Sequence, residues 1–250
     1  MQSEGDPIAT KDQIEYDTIL LSDVHFGSPL SQAKELCEFL SRIRVKELIL
    51  VGDVFDDLNF HRLQREHWET LGQIRKMSDH CKVIWIRGNH DIVSAPTMSH
   101  LLGIQVLNSF SWTVYGKKFF AIHGDRWDTF IYRYQNLTAF LTWLYNTLSR
   151  LNSSAVRSFT RWLKKTAKLL TRNSEAVKGG AIAYAKKRGF DIVICGHTHM
   201  PMLAKVGPII YGNDGTWQSD DPHFIGIKEG NVELCRYTED TVTLVAQESF

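Results

Sequence analysis

The chain has 250 residues, 43% of them apolar and 23% charged, with a formal net charge of +1, which is the composition of an ordinary globular protein. Its four cysteines (Cys37, Cys81, Cys195, Cys235) are scattered without a Cys-x-x-Cys pair, which speaks against a zinc knuckle and for a reduced, cytosolic compartment. No window approaches ~18 consecutive apolar residues, and the polar, acidic start of the chain does not read as a signal peptide.

Residues 1–16 read as a flexible lead-in to a domain over 17–250. The run TILLSD (18–23) predicts a strand, and residues 31–43 a helix with Leu36, Phe39, Leu40 and Ile43 on one face. A second strand is expected over 47–53, a second helix over 63–77, and a third strand over 82–91 that runs into a loop. Strands separated by helices of this length imply βαβ units and a largely parallel sheet. After Leu101 the pattern changes: SWTVYGKKFFAIHGD reads as a hairpin turning at Gly116. A long helical region is expected over about 127–188, and β structure then resumes with FDIVICGH and continues to the end. The fold class is therefore α/β, two sheets flanked by helices, with a helical insertion at about 128–188.

Five of these strands end in polar residues of one chemical kind. They give Asp23 and His25, then Asp53, Asp56 and Asp57, then Asn89, His90 and Asp91, then His123 and Asp125, and finally His197 and His199. In open α/β sheets, ligands bind outside the carboxyl ends of the strands. Carboxylates, imidazoles and an amide make a mixed nitrogen–oxygen donor set, suited to Mn, Fe, Zn or Co rather than Ca. His197 and His199 are two residues apart, so an extended backbone would aim both at one point. Any one of these features taken singly is also common turn chemistry.

The motifs Asp23-x-His25, Gly52-Asp53-x-x-Asp56, Gly88-Asn89-His90-Asp91, His123-Gly124-Asp125 and Gly196-His197-x-His199, in this order, resemble those of the calcineurin-like metallophosphoesterases. The resemblance implies a two-sheet metallophosphoesterase sandwich and two divalent ions, manganese first, with iron or zinc as alternatives. It assigns Asp23, His25, Asp53 and His199 to one ion, and Asp53, as a bridge, Asn89, His123 and His197 to the other. Two such cations neutralise a phosphate ester and lower the pKa of a water for in-line attack. His90 is implied to stabilise the transition state or protonate the leaving oxygen. Asp91 is expected to hold the His90 tautomer, and Asp56 to hold a ligand loop or histidine from behind.

The charge is unevenly spread. Residues 131–188 carry twelve basic residues against one acid, Glu175, a local charge of +11 that leaves the rest of the chain at −10. Arg157, Arg161, Lys165 and Lys168 follow helical spacing on one face, while Phe159, Trp162 and Leu163 share another. Such a basic, aromatic-rich pattern suits an anionic membrane surface or a lipid-like substrate. A helical hairpin under a solvated basic face and nonspecific nucleic-acid attraction are the alternatives. An insertion at this place resembles the cap of the UDP-2,3-diacylglucosamine hydrolases of the lipid A pathway and their paralogues. That likeness implies a lipid-linked or sugar-nucleotide diphosphate substrate and a peripheral site at the inner membrane, with no specific nucleic acid. The chain departs from those hydrolases in carrying His90 directly after Asn89. The other enzyme reading is a phosphodiesterase or phosphatase for soluble nucleotides or nucleic acid.

Overall fold

The computed structural model describes residues 7–10, 14–57, 59–92, 94–128 and 174–250. The strands are β1 (Pro7–Thr10), β2 (Ile14–Leu21), β3 (Ile43–Leu50), β4 (Lys82–Ile86), β5 (Gln105–Leu107), β6 (Phe110–Val114) and β7 (Lys117–Ala121). They continue with β8 (Ile192–Cys195), β9 (Met202–Val206), β10 (Ile209–Asn213), β11 (His223–Lys228), β12 (Asn231–Thr238) and β13 (Thr241–Ser249). The described helices are α1 (Ala33–Arg42), α2 (Arg65–Met77), α3 (Ser94–Leu102) and α4 (Ser174–Arg188).

Two sheets result, ordered β1-β13-β12-β11-β2-β3-β4-β5 and β6-β7-β8-β10-β9. Strands β2 to β5 are parallel, as are β7, β8 and β10, and the flanking pairs are antiparallel. Parallel strands in such a fold are buried on both faces, and here the period of two sorts each strand between two cores. Ile19, Leu21, Leu48, Leu50, Val83 and Trp85 join the cluster that holds Leu36, Phe39, Leu71 and Ile74 of α1 and α2. The intervening Leu20, Ile49, Ile84 and Ile86 pack with Phe119, Ile192, Ile194 and Ile210 of the second sheet. Both sheets therefore present the carboxyl ends of their central parallel strands.

The chain divides into a unit of residues 1–125 and 181–250, which holds both sheets, and a unit of residues 126–180. In the second unit, Trp127 lies so close to Gly180 that a Cβ there would collide with the indole. Helix α4 ends at Arg188, and its residues from Ala181 onward group with the sheet unit. Residues 1–16 are not all lead-in: β1 pairs with β13, and β2 starts at Ile14 because Ile14 and Tyr16 carry inward apolar side chains. Helix α3 and strand β5 were not expected; a proline in the first turn and one short apolar run obscured them.

Candidate metal centre

The candidate ligands leave the two sheets together. Asp23 and His25 follow β2, Asp53 follows β3, Asn89 follows β4, His123 follows β7, and His197 and His199 follow β8. Backbone hydrogen bonds lace the first two loops: the Asp23 N–H reaches the Gly52 carbonyl at 3.0 Å and the His25 N–H the Asp53 carbonyl at 3.0 Å. The Gly196 N–H binds the His123 carbonyl at 3.0 Å, which fixes the other pair of loops. Asp23, His25, Asp53, His197 and His199 all take left-handed φ values between 50° and 67°. That region is unfavourable for residues with a Cβ, and such strain concentrates at functional sites. His197 and His199 thus reach one centre through left-handed turns, not along an extended strand end as their spacing suggested. At Gly88 a Cβ would collide with the Asp53 carboxylate, so this loop needs glycine for close approach.

Among the described residues three sets of donors converge, Asp23 with His25 and His199, Asp53 with His123 and His197, and, sharing members of both, His25 and Asp53 with His90, each set lying within 4.8 Å. Asp53 Oδ2 stands between the first two, 3.7 Å from His25 Nε2 and 3.3 Å from His123 Nε2. Asn89 Oδ1 is 3.3 Å from His123 Nε2, which adds the amide oxygen to the second set. Asp23 Oδ1 is 2.6 Å from His199 Nε2 and 3.6 Å from His25 Nε2.

Several of these buried atoms lack a hydrogen-bond partner. Asp23 Oδ1, Asp53 Oδ2 and both ring nitrogens of His25 are buried with no hydrogen-bond partner. Leaving such groups unsatisfied is costly, and native interiors seldom do so. A cluster of close carboxylate oxygens and imidazole nitrogens, several without a partner, is what bound cations would satisfy. Electrostatics agree. Burial would raise the Asp53 carboxyl, but His123, His90 and His25 outweigh it and hold it well below the usual range. Burial likewise opposes the charged form of Asp23, and His199, His25 and His123 overcome it. Burial would depress His123, yet Asp53 and then Asp23 lift it to about 10. The carboxylates draw positive charge into the centre.

The surrounding side chains set the tautomers. His123 Nδ1 lies 2.8 Å from the Val51 carbonyl, an acceptor only, so Nδ1 carries a proton and Nε2 faces inward, where its lone pair would serve an ion that displaces the second proton. His25 Nδ1 faces Asp56 Oδ1 at 3.4 Å, and Arg62 holds the other Asp56 oxygen at 2.9 Å. Asp56 thus stands between His25, a candidate ligand, and Arg62. His90 is exposed; its N–H donates to Asp53 Oδ1 at 2.9 Å and its Nδ1 meets the Asp56 carbonyl at 2.7 Å. Its ring stands edge-on to His25 at 4.8 Å.

The expectation for Asp91 is corrected. Its carboxylate accepts the N–H groups of Val54, Phe55 and Gly88 and the Trp85 indole, at 3.0–3.3 Å, so it ties the β3 and β4 loops. The Asp56 carbonyl, not Asp91, holds the His90 tautomer. Several contributors escaped the sequence reading. Arg62 braces Asp56, Asn213 Nδ2 donates to the Gly196 carbonyl at 2.7 Å, and Thr216 Oγ1 donates to the Asp23 carbonyl at 3.1 Å. Ser22 Oγ lies 2.6 Å from both Asp23 Oδ2 and Asp214 Oδ1. Their only sequence signals were proximity to a ligand motif and the glycine-bracketed stretch Gly212–Gly215. Arg157, Arg161, Trp162, Lys165 and Lys168 lie outside the described residues. No helix among the described residues is long and apolar enough to cross a membrane.

A family model for the calcineurin-like phosphoesterases matches residues 17–201. No curated protein matches the chain. Among solved structures, the chain is similar to Yfce, a phosphoesterase from E. coli, at 16% identity over 93% of this chain and 98% of that one, with a TM-score of 0.54. It is also similar to Vacuolar Protein Sorting 29 from Cryptosporidium parvum, at 13% identity over 93% and 97% of the two chains and a TM-score of 0.49. A conserved protein from Streptococcus pneumoniae described as a predicted phosphoesterase aligns at 15% identity over 93% and 95%, with a TM-score of 0.46.

Proposed function

The chain belongs to the calcineurin-like phosphoesterase family and is a metal-dependent phosphoester hydrolase; from that premise we propose that it cleaves a phosphoester or diphosphate of an amphiphilic, lipid-linked or sugar-nucleotide substrate. The hydrolytic chemistry rests on one observation, the position of Asp53 Oδ2 between the His25 and His123 imidazoles. Asp23, His25, Asp53 and His199 would hold one divalent ion, and Asp53, Asn89, His123 and His197 the other. When bound, two such ions neutralise the phosphoryl oxygens and acidify a water for in-line attack. Manganese is the ion we propose, on a donor set that also accepts iron or zinc.

The chain's own residues do the rest. The Val51 carbonyl fixes the His123 ring with Nε2 inward, and the Asp56 carboxylate faces the Nδ1 side of His25 at 3.4 Å. His90 has Nδ1 committed to the Asp56 carbonyl, which leaves Nε2 as the atom that gains or gives a proton. As an imidazolium, it donates from Nε2 to the departing oxygen.

Support for an amphiphilic substrate comes from the ligand loops themselves. Leu30, Ile92 and Met200 follow Asp23 and His25, Asn89, and His199 respectively, and are 36%, 54% and 48% exposed. Exposed apolar side chains in the segments that follow the candidate ligands suit a substrate with a phosphate and an apolar portion. The basic, aromatic run over residues 131–188 points the same way. The test is a screen of Mn-loaded protein against nucleotide, sugar-nucleotide and lipid phosphates. Preferred turnover of the acylated or lipid-linked members supports the proposal, and equal or better turnover of plain nucleotides favours the soluble-nucleotide reading.

A further inference from the structure

We propose that Asp214 is a positioning residue for the metal centre: as a neutral carboxylic acid it donates to Ser22 Oγ, which commits the Ser22 proton to Asp23 Oδ2 and leaves Asp23 Oδ1 for the ion. The inference rests on the metal-centre reading and adds Ser22 and Asp214, which that reading does not use.

A proton count carries it. Ser22 Oγ stands 2.6 Å from Asp23 Oδ2 and 2.6 Å from Asp214 Oδ1, with all three residues at 1% exposure or less. A serine hydroxyl has one proton to give. Two ionised carboxylates cannot both accept it, and the oxygen left over would face the hydroxyl lone pair at 2.6 Å. One carboxyl therefore carries a proton of its own. Asp23 is the anion of the pair, because Oδ2 also accepts the His197 N–H at 2.8 Å and Oδ1 faces His199 Nε2. The extra proton belongs to Asp214.

The surroundings of Asp214 agree. Its Oδ2 is buried with no hydrogen-bond partner, a heavy cost for a carboxylate but a smaller one for the carbonyl oxygen of an acid. Asp214 is held in place from β8 and β10, since its N–H donates to the Cys195 carbonyl at 3.2 Å. The relay thus runs from Asp214 Oδ1–H to Ser22 Oγ, and from Ser22 Oγ–H to Asp23 Oδ2. It removes one negative charge from the region and fixes the rotation of the Asp23 carboxylate about its own bond. Neither oxygen of Asp214 needs to touch substrate or ion.

The test compares Asp214→Asn, Asp214→Ala and Ser22→Ala by calorimetric titration with Mn2+ and by infrared difference spectroscopy on the metal-free protein. The amide that Asp214→Asn introduces still offers a donor to Ser22 Oγ, so this variant keeps Mn2+ affinity within a few-fold of wild type. Asp214→Ala and Ser22→Ala each weaken it about 10–100-fold, the usual effect of losing an outer hydrogen-bond partner. The wild type shows a buried protonated-carboxyl C=O stretch that Asp214→Asn removes. Equal loss of affinity in Asp214→Asn and Asp214→Ala overturns the donor role, and absence of that stretch in wild type overturns the proton assignment. The infrared comparison holds even if the alanine variants do not fold. A wild-type protein that binds no Mn2+ overturns the metal-centre reading as well, whereas normal wild-type binding with either failure above sinks this inference alone.

Discussion

His90 and Asn89 are adjacent in the chain and stand in different surroundings. Asn89 Oδ1 joins the donor set beside His123, while His90 is exposed and oriented through the Asp56 carbonyl. His90→Ala is therefore expected to lower kcat by roughly 10²–10⁴-fold, the scale of losing a general acid, with metal content unchanged. The deficit should shrink for substrates with good leaving groups such as p-nitrophenol; an equal deficit would assign His90 to charge stabilisation instead. Asp53 is the opposite case. Asp53→Asn keeps an oxygen but removes the charge between the two imidazoles, and turnover should fall by orders of magnitude while circular dichroism stays native. Elemental analysis should find at most one ion per chain in that variant. Dialysis against chelator should silence the wild type, and manganese should restore it.

The loops between elements show why the site was partly legible. Seven candidate ligands could be read because each lies within a few residues of the end of an apolar run. Ser22, Arg62 and Asp214 could not, because their partners are set by the fold: Ser22 and Asp214 lie 192 residues apart. Asp91 was misread for the same reason, since its hydrogen bonds reach back to Val54 and Phe55 on another loop. The strands β2, β3 and β4 were legible because runs buried on both faces are unbroken by polar residues, whereas β5 offered only three residues. Close packing of these loops predicts a sharp cost at Gly88. Gly88→Ala would drive a methyl into the Asp53 carboxylate, so it should lose metal affinity and unfold at lower temperature in a calorimeter. Helix α2 carries its own pH sensitivity. The Gln64 N–H donates to His67 Nδ1 at 2.8 Å, and burial lowers the His67 imidazole below its ordinary value of 6.5. An imidazolium cannot accept that bond. A depressed base stabilises above its unfolded pKa and loses the contribution as pH falls through the folded value, so this cap weakens below about pH 6.5. Relative to His67→Gln, whose side chain caps at any pH, the wild type should lose up to about 1 kcal/mol between neutral and acid pH in urea titrations.

At the scale of the whole molecule, the small net charge conceals two opposed regions. Residues 131–188 carry +11 and the remainder −10. A neutral average gives no reason to bind a surface, but a segregated one does, since only the basic region needs to approach within a Debye length, ~10 Å at 0.1 M salt. The helical spacing of Arg157, Arg161, Lys165 and Lys168 would align four of those charges beside Phe159, Trp162 and Leu163. Each basic residue near an anionic leaflet contributes ~1 kcal/mol, so four supply about 4 kcal/mol, or close to 10³-fold in binding. Wild-type protein should therefore float with phosphatidylserine-containing vesicles at low salt, release as salt rises, and ignore neutral phosphatidylcholine vesicles. Replacing the four residues by glutamine should abolish flotation while hydrolysis of a small soluble diester continues, because none of them belongs to the ligand set. Unchanged flotation of that variant, or none in wild type, would assign the basic stripe to solvent and turn the search for substrate toward soluble phosphoesters.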